Sequence, residues 1–512
     1  MAIWIDYAKI IFMSSFEEIR NERIKKLNIL KTAGMNPYPI ESKKDYSTAE
    51  VIDDFSKLSK RKKPFFMAGR VMTVRGHGGS TFFDFSDGEG KMQAYLKKDE
   101  IGLEGYQLFI DVVDTGDFVE LKGVLFKTKK NEKTLKVLAW KMLSKSVRPL
   151  PDKWHGLSDV EERFRKRYLD LLMSPEVKNR FVIRSKIISE VRNFLNKENY
   201  LEVETPILQS LAGGATAEPF MTHHRTLDMD LYLRIAPELY LKKLLIGGFS
   251  KVYEIGRNFR NEGISPTHNP EFTMLEFYEA YSDAQSQRAF IEKMLKTIMK
   301  NIFKKFSVGY NGNIIDFSKK FSIISYFDLL KKYTLMVNPS ALSRNDIALK
   351  AKQFGITVEN HEAKEKIIDN IYKKICRPKL IQPTFIIDYP AEFSPFAKRK
   401  ADNSSFIDRF QLVVGGIEIV NAFSELNDPF DQKERFLEQD RKRKEGEAEV
   451  SPSDEGYLEA MEYGMPPAGG VGVGVDRLVM LLSDTQNIKE VILFPTMKPK
   501  TTEPFKNQEG SF

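Results

Sequence analysis

Residues 257–278 read Arg257-Asn-Phe-Arg-Asn-Glu-Gly-Ile-Ser-Pro-Thr-His-Asn-Pro-Glu-Phe-Thr-Met-Leu-Glu-Phe-Tyr278, and this stretch has the densest concentration of chemically informative residues in the chain. Its front half continues a strand pattern that starts at Val252, its centre is a loop, and its rear half is a returning strand. Alternate residues of a strand share a face, so Arg260 and Glu262 point the same way on the first strand. Three further side chains share a face on the second strand, namely Phe272, Glu276 and Tyr278.

This hairpin predicts a site for a charged ligand. If the two strands pair those faces, a cation, several polar groups and an aromatic ring converge, and burying such charges without a charged ligand is costly. His268 and Asn269 lie in the loop, where their side chains can close over phosphates. A solvated hairpin with ordinary charge alternation is the alternative interpretation of this stretch taken alone.

A second cluster is rich in glycine. Residues 469–477 read Gly469-Gly-Val-Gly-Val-Gly-Val-Asp-Arg477, and a helical pattern follows them. Small residues let the backbone approach a ligand or a partner strand closely, and Arg477 falls at the junction of strand and helix. The stretch is neither a Walker A loop nor a dinucleotide-binding fingerprint, because the residues that those motifs need are missing. A tightly packed core strand remains an equal alternative.

Two further stretches concentrate polar groups. Residues 418–428 read Glu418-Ile-Val-Asn-Ala-Phe-Ser-Glu-Leu-Asn-Asp428, in which Asn421, Phe423 and Glu425 alternate on one strand face. Glu418 has the opposite parity, so the strand needs a bulge or twist if Glu418 is to join that face. Residues 234–238 read Arg234-Ile-Ala-Pro-Glu238. Either stretch alone also fits an ordinary half-exposed strand.

The remainder of the chain divides into segments of different character. We expect an N-terminal extension at 1–15, a helical segment at 16–63, a small barrel of five short strands at 64–147, a linker at 148–166 and a second domain at 167–512. A Lys-rich and mostly helical stretch from about 283 to 380 is interpreted as an insertion in that domain. Strands and helices after Tyr200 mix without regular βαβ alternation, which argues against a doubly wound parallel sheet.

Three ordered motifs carry a resemblance to a known family. Residues 200–206 resemble motif 1 of class II aminoacyl-tRNA synthetases, residues 259–272 resemble motif 2, and residues 472–477 resemble motif 3. Within that class, residues 234–240, the motif 2 stretch and residues 423–428 are similar to lysyl-tRNA synthetases. The likeness runs from about Phe16 to Pro499. It implies an α+β fold, with an N-terminal OB-fold β-barrel followed by a class II antiparallel sheet flanked by helices.

The resemblance also implies an activity. Enzymes of this family use ATP to convert L-lysine to lysyl-adenylate and then transfer lysine to tRNA(Lys), releasing AMP and pyrophosphate. The expected partners are tRNA(Lys), ATP, L-lysine and a second copy of the chain in a homodimer, with Mg²⁺ as the cofactor. The lysine carboxylate attacks ATP in line, and the enzyme contributes positioning and electrostatics.

Site residues follow from the resemblance, position by position. Arg260 and Arg477 are the expected catalytic pair, and Arg260 is expected to bind the α-phosphate and the lysine carboxylate. The expected ATP-binding residues are Arg260, Glu262, His268, Asn269, Phe272 and Arg477. The expected lysine-binding residues are Gly214, Glu238, Arg260, Glu276, Tyr278, Asn421, Phe423 and Glu425. The α-amine is expected near Gly214 and Glu238, and the ε-amine near Glu425 and Tyr278.

One position departs from the family pattern. Magnesium is held in relatives by two glutamates, of which Glu418 matches one, whereas Gln411 occupies the other position. An amide oxygen donates no charge, so we expect a weaker or water-bridged metal there. In the barrel, Arg75, Phe82 and Gln93 match the family's anticodon readers, which stack an unpaired base and read its edge. A role in the barrel core is the alternative for Phe82.

Composition limits the other function classes. A chain of 512 residues is too long to fold around a single hydrophobic core, so we expect two or more domains. Its formal net charge of +8 is compatible with a polyanionic partner. The single cysteine, Cys376, excludes an intrachain disulfide and a Cys-rich zinc site, and it favours a reducing cytoplasmic location. No apolar run is long enough to cross a membrane. The alternatives are a lysyltransferase paralogue, which would lack the barrel, an aspartyl- or asparaginyl-type relative, and a non-catalytic RNA-binding or regulatory paralogue, which should have lost the motif arginines.

Overall fold

The computed structural model describes residues 2–151, 157, 159–215, 217–359, 362–444 and 452–499, with side chains from Ser15 onward except that of His77. The chain divides into two compact units, residues 1–156 and residues 157–512. Part of the expected linker and the end of the polar C-terminal tail lie outside the described residues. No helix in the described part of the chain has the length and apolar character needed to cross a membrane.

The first unit is a β-barrel accompanied by helices. Its strands are β1 (Phe65–His77), β2 (Ser80–Ser86), β3 (Lys91–Lys97), β4 (Phe118–Lys127) and β5 (Lys133–Ser144). Its helices are α1 (Ala2–Thr32), α2 (Thr48–Asp53), α3 (Phe55–Lys60), α4 (Lys98–Ile101) and α5 (Leu103–Val112). Helix α1 runs without a break from the expected extension into the predicted helical segment.

The barrel closes in the strand order β1-β2-β3-β5-β4. Alternate residues fill its interior, including Met67, Val71 and Phe83, which have no exposed surface. A register shift falls between Lys122 and Gly123, where a β-carbon on the glycine would overlap the carbonyl oxygen of Lys136. The OB-fold barrel predicted from five short strands is therefore confirmed.

The second unit is built on an eight-stranded sheet. The unit's strands are β6 (Leu201–Glu202), β7 (Leu208–Gln209), β8 (Met221–His224), β9 (Met229–Leu233), β10 (Lys251–Phe259), β11 (Glu271–Ala280), β12 (Ser307–Tyr310), β13 (Asn313–Asp316), β14 (Ser322–Ser325), β15 (Thr384–Pro390), β16 (Phe406–Val414), β17 (Ile417–Ser424) and β18 (Ala468–Gly474). The strands of the eight-stranded sheet run in the order β14-β15-β16-β17-β18-β11-β10-β6.

Helices flank this sheet. They are α6 (Val160–Arg165), α7 (Arg167–Met173), α8 (Pro175–Lys197), α9 (Glu238–Ile246), α10 (Ala284–Ile298), α11 (Tyr326–Thr334), α12 (Arg344–Gln353), α13 (Lys364–Ile371), α14 (Pro429–Lys444), α15 (Glu455–Glu462) and α16 (Val475–Leu482). The largest apolar cluster joins α8, α10 and α16 to the central strands through residues such as Ile187, Ile291 and Leu481. The α+β fold class is confirmed.

Two features differ from the sequence-based expectations. The sheet is antiparallel only from β15 to β10, because β14 and β6 add as parallel strands at its two edges. The segment 283–380 contains strands as well as helices. Residues 307–316 form the hairpin β12–β13, in which Val308, Tyr310 and Ile315 turn alternate side chains into the core, and β14 extends the main sheet. The sequence did not predict the β12–β13 hairpin, because its alternating pattern is short and the residues on both sides of it have helical periodicity.

Candidate active site

Two cavities lie side by side on one face of the central strands, and Arg260 lines both of them. The first cavity has a volume of about 190 Å³ and the second about 180 Å³. Arg260 follows the end of β10, and its backbone N–H donates to the carbonyl oxygen of Pro270 at 2.9 Å. Its Nε is buried without a hydrogen-bond partner. A guanidinium in this position can reach oxyanions in either cavity.

The first cavity collects most of the residues expected to bind lysine. Its lining includes Gly214, Glu238, Arg260, Glu276, Tyr278, Asn421 and Phe423. Strands β11, β18 and β17 place them, because Glu276 pairs with Gly472 and Gly472 pairs with Asn421. The hydroxyl of Tyr278 donates to Oε2 of Glu276 at 3.0 Å. The shared face predicted for Phe272, Glu276 and Tyr278 brings the last two into this cavity.

Glu425 stands behind the wall of this cavity. Its carboxylate is 1% exposed, and its Oε2 lies 2.5 Å from Nζ of Lys242. The same ammonium lies 2.6 Å from Oε1 of Glu238, one turn earlier on α9. Lys242 has no exposed surface. A buried ammonium therefore joins two of the three carboxylates expected to face the substrate.

The carboxyl groups of this cavity titrate abnormally. Burial and the neighbouring Glu238 raise the pKa of Glu276 to about 8. Burial raises the pKa of Glu238 and that of Glu425, and the ammonium of Lys242 opposes both shifts. Burial alone would lower the pKa of Lys242, but the two carboxylates raise it, so Lys242 stays charged. The cavity therefore favours positively charged ligands.

The second cavity collects the residues expected to bind ATP. Its lining includes Arg260, Glu262, His268, Asn269, Phe272, Glu418 and Arg477. The guanidinium carbon of Arg260 lies 5.1 Å from the ring centroid of Phe272. Arg477 is in the first turn of α16, directly after β18, as the strand-to-helix junction predicted. The arrangement offers an aromatic face, two guanidinium groups and an acidic rim.

His268 and Arg477 face each other across this cavity. Nη2 of Arg477 lies 3.0 Å from Nε2 of His268, and Nδ1 of His268 lies 2.8 Å from Oγ of Ser265. A guanidinium only donates hydrogen bonds, so Nε2 must accept and the proton of the neutral ring sits on Nδ1. Burial lowers the pKa of His268 to about 4, and the positive charges of Arg477 and other nearby arginines contribute to the same shift. The imidazole is therefore neutral at physiological pH.

Glu418 reaches the second cavity through a bulge. The register between β16 and β17 shifts at this point, so that Val413 pairs with Glu418 and Leu412 pairs with Val420. The extra residue, Ile419, reverses the parity as the sequence required, and both Glu418 and Ile419 line the cavity. Oε2 of Glu418 lies 3.9 Å from Nη1 of Arg377, which belongs to the segment expected as an insertion.

The amide oxygen of Gln411 is occupied by two tyrosine hydroxyls. This Oε1 accepts hydrogen bonds from the hydroxyl of Tyr372 at 3.1 Å and from that of Tyr389 at 2.8 Å. Gln411 is buried and lines neither cavity. Among the residues that the structure describes, no three His, Cys, Asp or Glu side chains are grouped to hold a metal ion.

Buried ion pairs fix the strands around the two cavities. Arg234 pairs with Glu254 of β10, which also accepts from Oγ1 of Thr205 at 2.7 Å. Asp476 accepts from the backbone N–H of Thr273 and from Nη1 of Arg184, each at 2.6 Å. Because buried charges without partners are costly, these networks hold the hairpin and the start of α16 in one arrangement.

The residues expected to read an anticodon lie on the outer face of the barrel. Arg75 pairs with Phe82 across β1 and β2, and Phe82 pairs with Tyr95 of β3, their rings 4.6 Å apart. Gln93 pairs with Asp84 in the adjacent row, and both line an open cavity of about 530 Å³ together with Arg75. Phe82 is half-buried beside this cavity, not in its lining and not in the barrel core.

Sequence reasoning missed two cations, Arg409 in the lining of the first cavity and Lys242 buried behind it. Lys242 carried a signal, because it follows Glu238 by four residues on a helix, and that spacing pairs opposite charges. Arg409 lines the cavity and donates from Nε to Oδ1 of Asn421 at 2.9 Å. Arg409 and Gln411 alternate on one face of β16. That alternation could identify Arg409 as a cavity residue only after β16 was known to pair with β17.

A barrel of OB type and an arginine between two cavities on an antiparallel sheet define a class II aminoacyl-tRNA synthetase. A family profile described as "tRNA synthetases class II (D, K and N)" matches residues 159–498. A second profile, "OB-fold nucleic acid binding domain", matches residues 66–143. Both matches agree with the two units of the structure.

Close relatives share one name. A lysine–tRNA ligase of Pelotomaculum thermopropionicum is 47% identical over 97% of this chain and 98% of the relative. That of Carboxydothermus hydrogenoformans is 46% identical over 94% and 98%, and that of Aquifex aeolicus is 47% identical over 86% and 74%. The chain belongs to the lysine–tRNA ligase family of class II synthetases, and the resemblance predicted from its motifs is confirmed.

Proposed function

We propose that this chain activates L-lysine with ATP in the two joined cavities and transfers it to tRNA(Lys) in the cytoplasm. The observation that supports this most directly is that Arg260 lines both cavities. A carboxylate oxygen of lysine attacks the α-phosphorus in line, a phosphorus–oxygen bond breaks and pyrophosphate leaves. A terminal ribose hydroxyl of the tRNA then attacks the lysyl carbonyl carbon, and AMP leaves. Arg260 stabilises the negative charge that builds at the α-phosphate.

The first cavity binds lysine by charge. Glu238 and the carbonyl oxygen of Gly214 receive the α-amine, and Glu425 with Tyr278 receives the ε-amine. Glu276 lines the same cavity and carries no charge until it ionises, since its pKa is about 8. Buried carboxylates reject a substrate that leaves them unpaired, so an uncharged side chain of the same length is excluded.

The second cavity binds ATP. Phe272 offers its ring to adenine, with Arg477 on the other face, and Glu262 accepts from the adenine amino group. His268 and Asn269 close over the terminal phosphates from the hairpin loop. The neutral imidazole of His268 keeps a hydrogen-bond donor at Nδ1 without adding charge, while Arg477 supplies the positive charge beside it.

The residues fit a magnesium ion that arrives with ATP. Magnesium is commonly bound by one or two carboxylates together with phosphate oxygens and water. Glu418 offers one carboxylate in the second cavity, whereas the amide oxygen of Gln411 already accepts from two tyrosines. When bound, Mg²⁺ would neutralise charge on the phosphates, and Glu418 is the side chain that would hold it.

The barrel reads the anticodon and motif 1 forms the dimer. Arg75, Phe82 and Gln93 share the outer face of β1–β3, where an unpaired base can stack on Phe82 and meet polar groups beside it. In motif 1 and just after it, Leu201, Ile207 and Leu208 are each 45–48% exposed. Leu201 lies in the edge strand β6 and the other two follow it within seven residues, and exposed apolar side chains such as these suit burial against a second copy of the chain.

Pyrophosphate exchange tests this function. Exchange between ATP and labelled pyrophosphate is measured with each amino acid in turn, and lysine alone should support rapid exchange, followed by charging of tRNA(Lys). Arg260→Lys should reduce exchange by about a hundredfold or more, because Lys cannot replace a bidentate guanidinium. Arg257→Lys, an exposed neighbour that contacts Glu271 at 3.6 Å, is the matched control. Exchange supported equally by another amino acid would contradict the proposal.

A further inference from the structure

The ammonium group of Lys242 is buried among two carboxylates and three aromatic rings, and two of those rings, Phe396 and Phe423, line the first cavity. Its Nζ lies 2.6 Å from Oε1 of Glu238 and 2.5 Å from Oε2 of Glu425. The ring centroids of Phe396, Phe423 and Tyr457 lie 5.0, 5.4 and 6.0 Å away. The side chain has no exposed surface, so this charge is a fixed part of the protein.

Lys242 contacts one oxygen of each carboxylate, as a hydrogen bond to Glu238 and as an ion pair with Glu425, neither of whose oxygens has a hydrogen-bond donor. Oε1 of Glu425 is buried without a hydrogen-bond donor and lies against Gly470, which lines the first cavity. Glu238 lines the same cavity. A buried carboxylate oxygen without a donor is costly, and its position at the cavity wall points to a donor supplied by a ligand.

We propose that Lys242 is a positioning and specificity-determining residue, whose ammonium keeps Glu238 and Glu425 ionised and turned so that one oxygen of each meets an amine of the substrate. This inference rests on the proposed lysine cavity and deepens it. Lys242 does not touch the reacting atoms, and it acts through the two carboxylates. Its ammonium opposes the rise in pKa that burial causes in Glu238 and Glu425, and so favours their charged forms before a cationic substrate arrives.

Charged and titratable groups surround Lys242 from three parts of the fold. Glu238 lies on its own helix α9, Glu425 follows β17 and Tyr457 belongs to α15. Glu276, on β11, acts on the two carboxyl groups instead. Burial raises the pKa of both Glu238 and Glu425, and Lys242 is the group that opposes this most strongly. Without the ammonium, both carboxyls take up protons more readily near neutral pH. A protonated carboxyl no longer selects an ammonium over an uncharged group.

Lys242→Met tests the proposal, because methionine keeps the length and the aromatic contacts but removes the charge. The full-length enzyme is measured by lysine-dependent pyrophosphate exchange from pH 6 to pH 9. At pH 7 we expect KM for lysine to rise by at least about tenfold, with KM for ATP changed by less than about twofold. The rise in KM should become smaller as the pH increases. At higher pH the carboxyl groups of Glu238 and Glu425 ionise even without the ammonium of Lys242, and ionised carboxylates bind the amines of lysine.

Lys243→Met is the matched control. Lys243 is the next residue on α9, its Nζ lies 4.0 Å from Asp454, and its side chain is 32% exposed outside both cavities. The Lys243→Met substitution should leave KM for lysine unchanged. Thermal unfolding and ATP binding by calorimetry report whether each variant is folded. If Lys242→Met does not fold, Lys242→Gln keeps an N–H donor without the charge and should show the same pH-dependent rise in KM.

Two outcomes would overturn the proposal. A folded Lys242→Met enzyme with unchanged KM for lysine would do so, and so would a rise in KM that is equal at every pH, which indicates a steric role alone. Glu425→Gln is measured alongside. If Glu425→Gln raises KM for lysine but Lys242→Met does not, the cavity assignment stands and the role of Lys242 fails. If neither variant changes KM for lysine, the proposed lysine cavity itself is wrong.

Discussion

The backbone of Gly470 passes directly against the carboxylate of Glu425: a β-carbon at Gly470 would overlap Oε1 of Glu425 and lie 2.8 Å from Cδ1 of Tyr278. Gly470→Ala should therefore push both side chains out of place. We expect KM for lysine to rise by at least about tenfold in pyrophosphate exchange, because overpacking shifts the groups that receive the ε-amine. KM for ATP should change by less than about threefold, since Gly470 lines only the first cavity.

Gly309→Ala is the control for this substitution. Gly309 also lies in a strand, and a β-carbon there would meet no atom within 4 Å. It should leave both KM values unchanged. A Gly470→Ala enzyme that binds lysine normally would show that Glu425 and Tyr278 are not needed in the positions that the structure gives them.

The raised pKa of Glu276 predicts that a proton is released when lysine binds. With a pKa of about 8 the group is largely protonated at pH 7, and an incoming ammonium favours its ionised form. Lysine affinity should therefore rise between about pH 6 and pH 8. Titration calorimetry at pH 7 in two buffers of different ionisation enthalpy measures the release, which Glu276→Gln should abolish. Glu271→Gln, an exposed position on the same strand, should retain it.

The same group predicts a pH dependence of stability. The folded protein holds a proton on Glu276 that the unfolded chain has lost above its ordinary pKa of 4.5. This group's contribution to the free energy of unfolding therefore falls as the pH rises from about 4.5 to about 8. Saturating lysine should reduce that fall, measured by urea unfolding at several pH values. An identical pH dependence in Glu276→Gln would contradict the assignment.

The sequence predicted the hairpin, the bulge and the barrel for identifiable reasons. Strand periodicity places Glu276 and Tyr278 on one face, and the parity of Glu418 requires an extra residue in β17, which is Ile419. These are local features that a chain imposes on its own backbone. Sequence alone could not show that Gln411 is tied to Tyr372, because that contact joins residues 39 positions apart.

Long-range packing also hid the charge state of the lysine cavity. Lys242 and Glu425 are far apart in sequence, and only the fold brings the ammonium within 2.5 Å of the carboxylate. The residue types predicted an acceptor-rich site, but the balance of charge depends on burial and on a cation that no motif contains. The raised pKa of Glu276 has the same origin, since its main cause is burial by the surrounding sheet.

The barrel predicts separable activities. Phe82→Ala should reduce charging of tRNA(Lys) by about tenfold or more, because stacking of a base on an aromatic ring contributes roughly 1–3 kcal/mol. Lysine-dependent pyrophosphate exchange should stay nearly unchanged, since that step needs no tRNA. Phe66→Ala is the control, because Phe66 is an aromatic residue of the neighbouring barrel strand β1 and contacts Lys43 and Lys122 instead of the Arg75–Phe82 row. Equal loss of both activities in Phe82→Ala would contradict a modular anticodon domain.

Gln411→Glu tests how strongly the chain holds magnesium. The amide oxygen at this position carries no charge and accepts from Tyr372 and Tyr389. A carboxylate there would be buried between two hydroxyls, and an adjacent cation would offset that cost, so magnesium binding should strengthen. The Mg²⁺ concentration for half-maximal exchange should fall severalfold, measured at fixed ATP, whereas the uncharged Gln411→Met should not lower it. An unchanged magnesium requirement in Gln411→Glu would show that the position is too far from the phosphates to matter.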